Sequence, residues 1–323
     1  MTSDTVRAAL LLSNRLVRID VAPLKAREFW AVLDRTDVLG LDIGQLLADP
    51  ALADTVLADT VLADTALADT ALAGAISGDR LRSLLDATRA FAFEVERLEE
   101  AGIHVVSALD ERFPPLLRDR MAHGCPPHIF AAGGLDSAQR PTLSIVGETG
   151  TATNATDTSA LHDVARRAVA AAVVAEWAVA TADSTTATDI AATVLDEAVA
   201  CEAALMAFTA SGINRAAREP GLRKLVQAGA VCLVSPFGPD ASQSAAATRA
   251  RNAMLHAVGS LTLVVACDDG TGPIWAAAFE AVQCEPASVV VVGGPNAPTG
   301  NRALAELGAR ELAHVDELSG VLS

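Results

Sequence analysis

The spacing of apolar residues changes near residue 142. Before that point they recur at helical intervals, as in Leu10–Leu12 and then Phe29, Trp30 and Leu33. Beyond it, short continuous apolar runs alternate with alanine-rich segments of helical length. Unbroken runs of this kind are typical of strands that are buried on both faces. The runs are Leu143–Val146, Trp177–Ala180, Ala204–Phe208, Val231–Val234, Leu261–Ala266 and Val289–Val292.

Six buried strands separated by helical segments predict a parallel or mostly parallel sheet with helices on both faces. The segment Leu312–Val315 indicates a further small edge element. We therefore expect an α/β protein, with a doubly wound, mostly parallel Rossmann-like domain over residues 141–323. In such a sheet, ligands bind in the crevice at the carboxyl ends of the strands.

The amino-terminal part predicts a separate helical domain over residues 1–100. Its last helical pattern runs through Leu81, Leu84, Leu85 and Phe91 and ends near Gly102. A strand is expected at Ile103–Val106. Residues 101–140 then form a proline-rich lead-in segment, marked by the pairs Pro114-Pro115 and Pro126-Pro127.

Residues 52–73 consist of a five-residue repeat, LADTV LADTV LADTA LADTA LA. On a helix, each step of five residues rotates the side chain by about 140°, so no single apolar stripe forms. A pentapeptide-repeat solenoid is the alternative, but it would place threonine at the inward position that Leu or Phe normally fills. We expect a surface helix or linker without chemistry, and we expect deletion of residues 53–72 to change stability little.

Charge narrows the range of partners. The 323-residue chain carries a formal net charge of −16, and Lys25 and Lys224 are its lysines. Residues 141–295 contain 15 acidic and 8 basic side chains. This balance opposes general attraction to nucleic acid, so any binding to a phosphate backbone has to be local.

Other classes of function find little support in the sequence. Apolar runs fall short of the roughly 18–20 residues that a membrane span needs, and the first 20 residues do not resemble a signal peptide. The cysteines form no CxxC pair, and the histidines His162, His256 and His314 lack metal-ligand spacing. We expect a cytoplasmic protein with no cofactor, no metal, no contact with membranes and no catalytic constellation.

Several short motifs occur in a characteristic order. They are Asp110 with Phe113-Pro114 and Leu117, then Pro127 with Phe130 and Gly133, then Ile145-Val146-Gly147, Arg251-Asn252, Thr271-Gly272, Gly293-Gly294-Pro295, Gly300 and Gly308-Ala309. This series, over roughly residues 100–315, resembles the DprA/Smf DNA-processing family. The resemblance implies a non-enzymatic, homodimeric accessory protein that binds single-stranded DNA. It also implies assistance in loading a RecA-type recombinase during transformation or recombination.

The resemblance implies DNA or phosphate contacts at seven positions: Gly147, Thr149, Arg249, Arg251, Asn252, Thr271 and Gly272. Some phosphate-facing groups differ from the family pattern. Glu148 stands where the family has an arginine, and Ala253 replaces a second arginine. In the second turn only Asp189 is kept. DNA binding is therefore expected to be weak, sensitive to salt and dependent on Arg251.

Two alternatives remain open. The fold could retain a pocket for a nucleotide-derived small molecule, as in Rossmann-like sensor domains, or it could be a scaffold that has lost its ligand. Each motif also has an ordinary structural interpretation. Residues 147–151 could be a turn that caps a helix, 249–252 a solvated helix start, and Asp268-Asp269 a turn followed by a cap.

Overall fold

The computed structural model describes residues 3–14, 16–17, 19–57, 76–149, 158–184, 186, 188–294 and 297–323. The chain divides into two compact units. The first comprises Met1–Phe113 and Met121–Phe130, and the second comprises Pro114–Arg120 and Ala131–Ser323. Within the described residues, no helix is both long and apolar enough to cross a membrane.

The first unit is mainly helical. Two of its helices begin at serines that satisfy free backbone N–H groups: the hydroxyl of Ser3 accepts from Val6 and that of Ser77 from Arg80. Its elements are α1 (Asp4–Ser13), α2 (Ala26–Val38), α3 (Gln45–Ala48), α4 (Leu52–Leu57), α5 (Gly78–Leu85), α6 (Thr88–Glu100) and strand β1 (Ile103–Ser107).

The start of the five-residue repeat is helical, as expected, but it is not confined to the surface. In α4, the side chains of Ala53 and Val56 are fully buried. The buried guanidinium of Arg35 donates from Nε to the carbonyl of Val56 at 3.1 Å. Asp54 forms an ion pair with Arg82 at 2.7 Å. The expected surface placement is therefore wrong for Ala53 and Val56. The effect of deleting the repeat stays a prediction, and residues 58–75 lie outside the described residues.

The second unit contains a parallel sheet whose strands are β3 (Thr142–Val146), β4 (Ala178–Ala182), β5 (Leu205–Phe208), β6 (Cys232–Ser235), β7 (Leu261–Val264), β8 (Val289–Val292) and β9 (Arg310–Leu312). Their spatial order is β6-β5-β4-β3-β7-β8-β9. Each neighbouring pair is parallel. The expected doubly wound α/β fold is confirmed. All six predicted strands are present, and β9 ends at Leu312, the residue at which the expected edge element begins.

The second unit also contains helices. They are α7 (Pro115–Met121), α8 (Thr158–Val174), α9 (Ile190–Ala200), α10 (Ile213–Ala216), α11 (Pro220–Gln227), α12 (Ala245–Val258), α13 (Gly272–Cys284), α14 (Thr299–Glu306) and α15 (Leu318–Leu322). α8 packs on α9 and α12 on α13, and each pair contacts the sheet. Every residue of β3, β5 and β6 is buried, which requires cover on both faces.

The chain reverses direction across the sheet at β3. It runs outward through β4 and β5 to β6, and then returns through α12 to β7 on the other side of β3. Ligand crevices form at such a switch point. The pairing also continues beyond the strands: Val265 donates to the Val146 carbonyl at 2.8 Å, and Glu148 donates to the Ala266 carbonyl at 3.0 Å. The loops that follow β3 and β7 are therefore held together.

One strand was not predicted. β2 (His128–Ala132) spans the boundary between the two units and all five of its residues are buried. It follows Pro126-Pro127 directly, and the proline pair suggested a loop.

Candidate functional site

The turn after the central strand depends on Gly147. A Cβ atom at this position would lie 3.2 Å from the backbone nitrogen of Ala266 and 3.2 Å from the Cβ of Val265. It would also lie 3.3 Å from a side-chain carbon of Ile190, the first residue of α9. Glycine therefore allows the loops that follow β3 and β7 to approach each other and α9 closely.

A crevice of about 330 Å³ opens at this turn, and we call it the carboxyl-end crevice. Four elements besides the turn contribute to it: the end of β4, the start of α9, and the adjoining parts of α12 and α13. It is lined by Ile145, Val146, Gly147, Glu148, Thr149, Thr181, Ala182, Ser184, Asp189, Ala191, Arg251, Asn252, Leu255, Pro273 and Ile274.

Arg251 is the cation of the carboxyl-end crevice. Its side chain is 13 % exposed, and its Nη1 lies 3.6 Å from Oδ1 of Asp183, just after β4. Its Nε is buried without a hydrogen-bond partner among the described residues. Burial lowers the pKa of Arg251, and the nearby Asp183 carboxylate opposes that shift. Arg251 is thus held inside the crevice by an ion pair.

Asn252 is 1 % exposed, and its amide has a defined orientation. Its Nδ2 donates to the carbonyl of Pro273 at 3.0 Å, which ties α12 to the start of α13. The other end of the amide, Oδ1, is buried and has no partner within the described structure.

Glu148 brings a half-buried carboxylate to the turn. Burial raises the pKa of Glu148, the negative charge of Asp268 raises it further, and the Asp268 backbone N–H that donates to the carboxylate opposes both. The Oε1 atom is buried without a partner among the described residues. Gly272 leaves room for this carboxylate, since a Cβ there would come within 3.0 Å of Oε1.

Polar contacts also join the loops that follow β3 and β4. Thr149 donates from its hydroxyl to the carbonyl of Thr188 at 2.8 Å. Ser184 donates to the carboxylate of Asp189, the residue immediately before α9. Asp183 and Ser184 were missed by the sequence analysis. Their position directly after a buried strand is the feature that could have identified them.

The structure brings four of the seven predicted site residues to the carboxyl-end crevice: Gly147, Thr149, Arg251 and Asn252. Arg249 lies on α12 but is exposed, and it makes no ion pair with any residue that the structure describes. Thr271 and Gly272 are exposed at the start of α13 and do not line the crevice, although Gly272 adjoins Glu148.

Carboxylates outnumber cations at this site. Glu148 and Asp189 line the crevice together with Arg251, and Asp183 pairs with that arginine. Three buried polar atoms of these lining residues have no partner in the described part of the chain, and an unpaired buried polar group costs about 1–3 kcal/mol. No cluster of three or more potential metal ligands occurs among the described residues. The arrangement is suited to binding a polar group through hydrogen bonds.

Comparison with known proteins identifies the family of the chain. The family model of DNA recombination-mediator protein A matches residues 98–323. The structure of DNA processing protein A (DprA) from Streptococcus pneumoniae is similar in fold, with a TM-score of 0.67 and 15 % identity over 99 % of this chain and 98 % of that one.

A second solved structure is DNA processing protein A from Helicobacter pylori, which is described with a single-stranded DNA binding mode. Its TM-score is 0.51 and its identity 14 %, over 68 % of this chain and 95 % of that one. No curated protein matches the chain. The two structures support the fold, and the family match extends over most of the sequence. The chain belongs to the DNA recombination-mediator protein A family.

Proposed function

We propose that this protein is a non-enzymatic DNA-processing accessory protein that binds single-stranded DNA at the carboxyl-end crevice. We further propose that it acts in the cytoplasm as a homodimer and assists the loading of a RecA-type recombinase. The observation that supports the proposal is that Arg251 lines the crevice at the switch point of the sheet, with the exposed Arg249 two residues earlier on α12, in a chain that belongs to a recombination-mediator family.

The two arginines have different surroundings. Residues two apart on a helix point about 200° away from each other. Arg251 lies inside the crevice and pairs with Asp183, whereas Arg249 is exposed. Arg249 is therefore the better candidate for a phosphate of the strand, and Arg251 for a group that enters the crevice.

The proposal is tested by titrating a labelled single-stranded oligonucleotide at low salt and following fluorescence anisotropy. We expect Arg249→Ala to weaken binding about fivefold, since one charge-assisted contact at an exposed site is worth about 1 kcal/mol. Arg251→Ala should abolish the binding that remains, because it removes the cation of the crevice.

Arg310→Ala is the matched control. Arg310 is also exposed, but it is the first residue of β9 and so lies at the opposite end of the sheet. Its substitution should leave the affinity unchanged. If the wild-type protein binds no DNA at low salt, or if neither Arg249 nor Arg251 affects binding, the proposal fails. Recombinase loading is tested separately by the rate of filament formation on single-stranded DNA with and without this protein.

A second candidate function, a sensor for a nucleotide-derived small molecule, is favoured by a specific observation. The carboxyl-end crevice is small and contains buried polar atoms that no described residue satisfies. A volume of about 330 Å³ lies at the lower end of the range for small-molecule sites. Competition of nucleotides against the labelled oligonucleotide would separate the two functions.

A further inference from the structure

The carboxylate of Asp183 is the counterion of Arg251 in the described part of the chain. The two side chains are 23 % and 13 % exposed, and Oδ1 of Asp183 lies 3.6 Å from Nη1 of Arg251. A charge-assisted hydrogen bond is shorter, at about 2.7–2.9 Å. Asp183 therefore balances the charge of the arginine without forming a close bond to it.

The other carboxylates at the crevice are engaged by different groups. The carboxylate of Asp189 accepts a hydrogen bond from the hydroxyl of Ser184. That of Glu148 accepts one from the backbone N–H of Asp268. The ion pair of Arg251 that the described residues contain is the one with Asp183. Asp183 is thus the residue that decides how much of the positive charge remains available to a ligand.

Asp183 also lies at the edge of the site. It follows β4 directly, between Ala182 and Ser184, which both line the carboxyl-end crevice. Arg251 lines the same crevice from α12. A ligand that reaches the guanidinium from the crevice therefore meets a cation that already has a partner.

A largely buried guanidinium needs an opposite charge, because a desolvated cation without one is costly. Burial lowers the pKa of Arg251, and Asp183 opposes that shift. A phosphate group could take over this task, since its oxygens accept two parallel N–H bonds from one guanidinium. A phosphate and Asp183 would then compete for Arg251.

We propose that Asp183 occupies the place of a ligand phosphate on Arg251 and thereby limits the affinity of the crevice for phosphate groups. Asp183 is a positioning residue, because it acts on the ligand through Arg251. Binding exchanges the Asp183–Arg251 ion pair for a phosphate–Arg251 pair. The inference rests on the proposed function, which supplies the phosphate from single-stranded DNA; a free phosphate is the other source.

The first test is Asp183→Asn, which keeps the shape of the side chain and removes the competing charge. We expect the affinity for a labelled thymine oligonucleotide to rise about fivefold or more at low salt, as measured by fluorescence anisotropy. The slope of log affinity against log salt concentration should steepen by about 0.7, because one more phosphate contact is no longer offset by a protein carboxylate. A purely structural role of Asp183 would not steepen this slope.

Two further variants show whether the gain comes from Arg251. In the Arg251→Ala background, Asp183→Asn should restore no binding, because the cation that it releases is missing. Glu306→Gln is the matched control for net charge. Glu306 is the exposed last residue of α14, which runs from the carboxyl end of β8 to the amino end of β9, so it lies at the opposite edge of the sheet. Its substitution should leave the affinity and the salt slope unchanged.

The second test uses inorganic phosphate and thermal unfolding of the full chain. Asp183→Asn leaves Arg251 without its counterion, so the variant should melt at a lower temperature than the wild type. Phosphate should raise the melting temperature of the variant more than that of the wild type, because a ligand stabilises the native state that binds it. Sodium chloride at equal ionic strength is the control.

The outcomes separate this inference from the proposed function. Tighter oligonucleotide binding by Asp183→Asn that requires Arg251 supports the inference with DNA as the source. Stabilisation of the variant by phosphate, without oligonucleotide binding by either protein, supports it with a free phosphate, and the proposed function then fails. Oligonucleotide binding by the wild type that Asp183→Asn does not strengthen sustains the proposed function and overturns the inference.

Three other results would also overturn it. The first is an equal gain from Glu306→Gln, and the second is a gain that persists without Arg251. The third is a variant that neither phosphate nor an oligonucleotide affects, or one that folds neither with nor without phosphate, because an external anion then does not replace the carboxylate of Asp183.

Discussion

Glu148 illustrates how a single residue changes the character of the site. It stands in the turn after the central strand, half-buried, with Oε1 unpaired among the described residues. Burial raises the pKa of this carboxyl group, so the folded protein favours its protonated form more than the unfolded chain does. A carboxylate at this position therefore costs stability unless a ligand donates to it.

Glu148→Gln is expected to increase the free energy of unfolding of the unliganded protein at pH 8. A group whose folded pKa is raised stabilises the fold fully below its unfolded pKa, and this contribution is lost as the pH rises through the folded value. The neutral glutamine does not titrate. The difference in free energy of unfolding between the variant and the wild type should therefore shrink as the pH falls to the usual pKa range of a carboxyl group. Urea unfolding at a series of pH values measures the difference.

Asp269→Asn, which neutralises an exposed carboxylate in a neighbouring loop, is the control and should change stability little. A glutamine variant that is less stable than the wild type at pH 8 would show that Glu148 makes a favourable contact in the absence of ligand.

At the scale of elements, the start of the five-residue repeat is part of the first unit's core. Helix α4 buries Ala53 and Val56, and the carbonyl of Val56 accepts from the buried guanidinium of Arg35. Only two residues of this short helix need to be apolar and inward-facing, so a repeat without a continuous stripe still packs here.

Val56→Ala is expected to lower the free energy of unfolding by about 2 kcal/mol, since it removes buried methyl groups and leaves a small cavity. Thr55→Ala, at the adjacent exposed position, is the matched control and should change stability by less than about 0.5 kcal/mol. Chemical denaturation measures both. Equal effects of the two substitutions would show that α4 does not pack as described.

Under the proposed function, charge limits how the whole molecule could hold DNA. The net charge of −16 opposes long-range attraction to a phosphate backbone, so we expect binding to depend on local contacts such as one at Arg249. We therefore expect weak binding at a defined place rather than tight binding along an extended basic surface.

The salt dependence of single-stranded DNA binding should accordingly be shallow. Each phosphate contact contributes about −0.7 to the slope of log affinity against log salt concentration. One or two contacts predict a slope of about −0.7 to −1.4, and Arg249→Ala should reduce its magnitude by about 0.7. Binding measured from about 50 to 200 mM salt tests this. A slope of about −4 or steeper would reveal a basic surface other than the one described.

The sequence by itself determined the class of the fold. Strands buried on both faces need unbroken apolar runs, a local property, and all six runs correspond to strands β3 to β8. Strand β2 was not predicted, because prolines precede it and its five residues form too short an apolar run. The sequence predicted a doubly wound sheet but not which strands are neighbours, since pairing joins segments that are distant in the chain.

The site was predictable in part. Ordered motifs indicated Gly147, Thr149, Arg251 and Asn252, and these residues line the crevice. The tertiary structure alone decided that Arg251 is buried against Asp183 and that Arg249 is exposed. It also decided that Glu148, Arg251 and Asn252, which line the crevice, each have a buried polar atom with no partner among the described residues. Burial and partner choice depend on α12, α13 and the turn after β3 coming together, and residue types and their spacing along the chain do not carry that information.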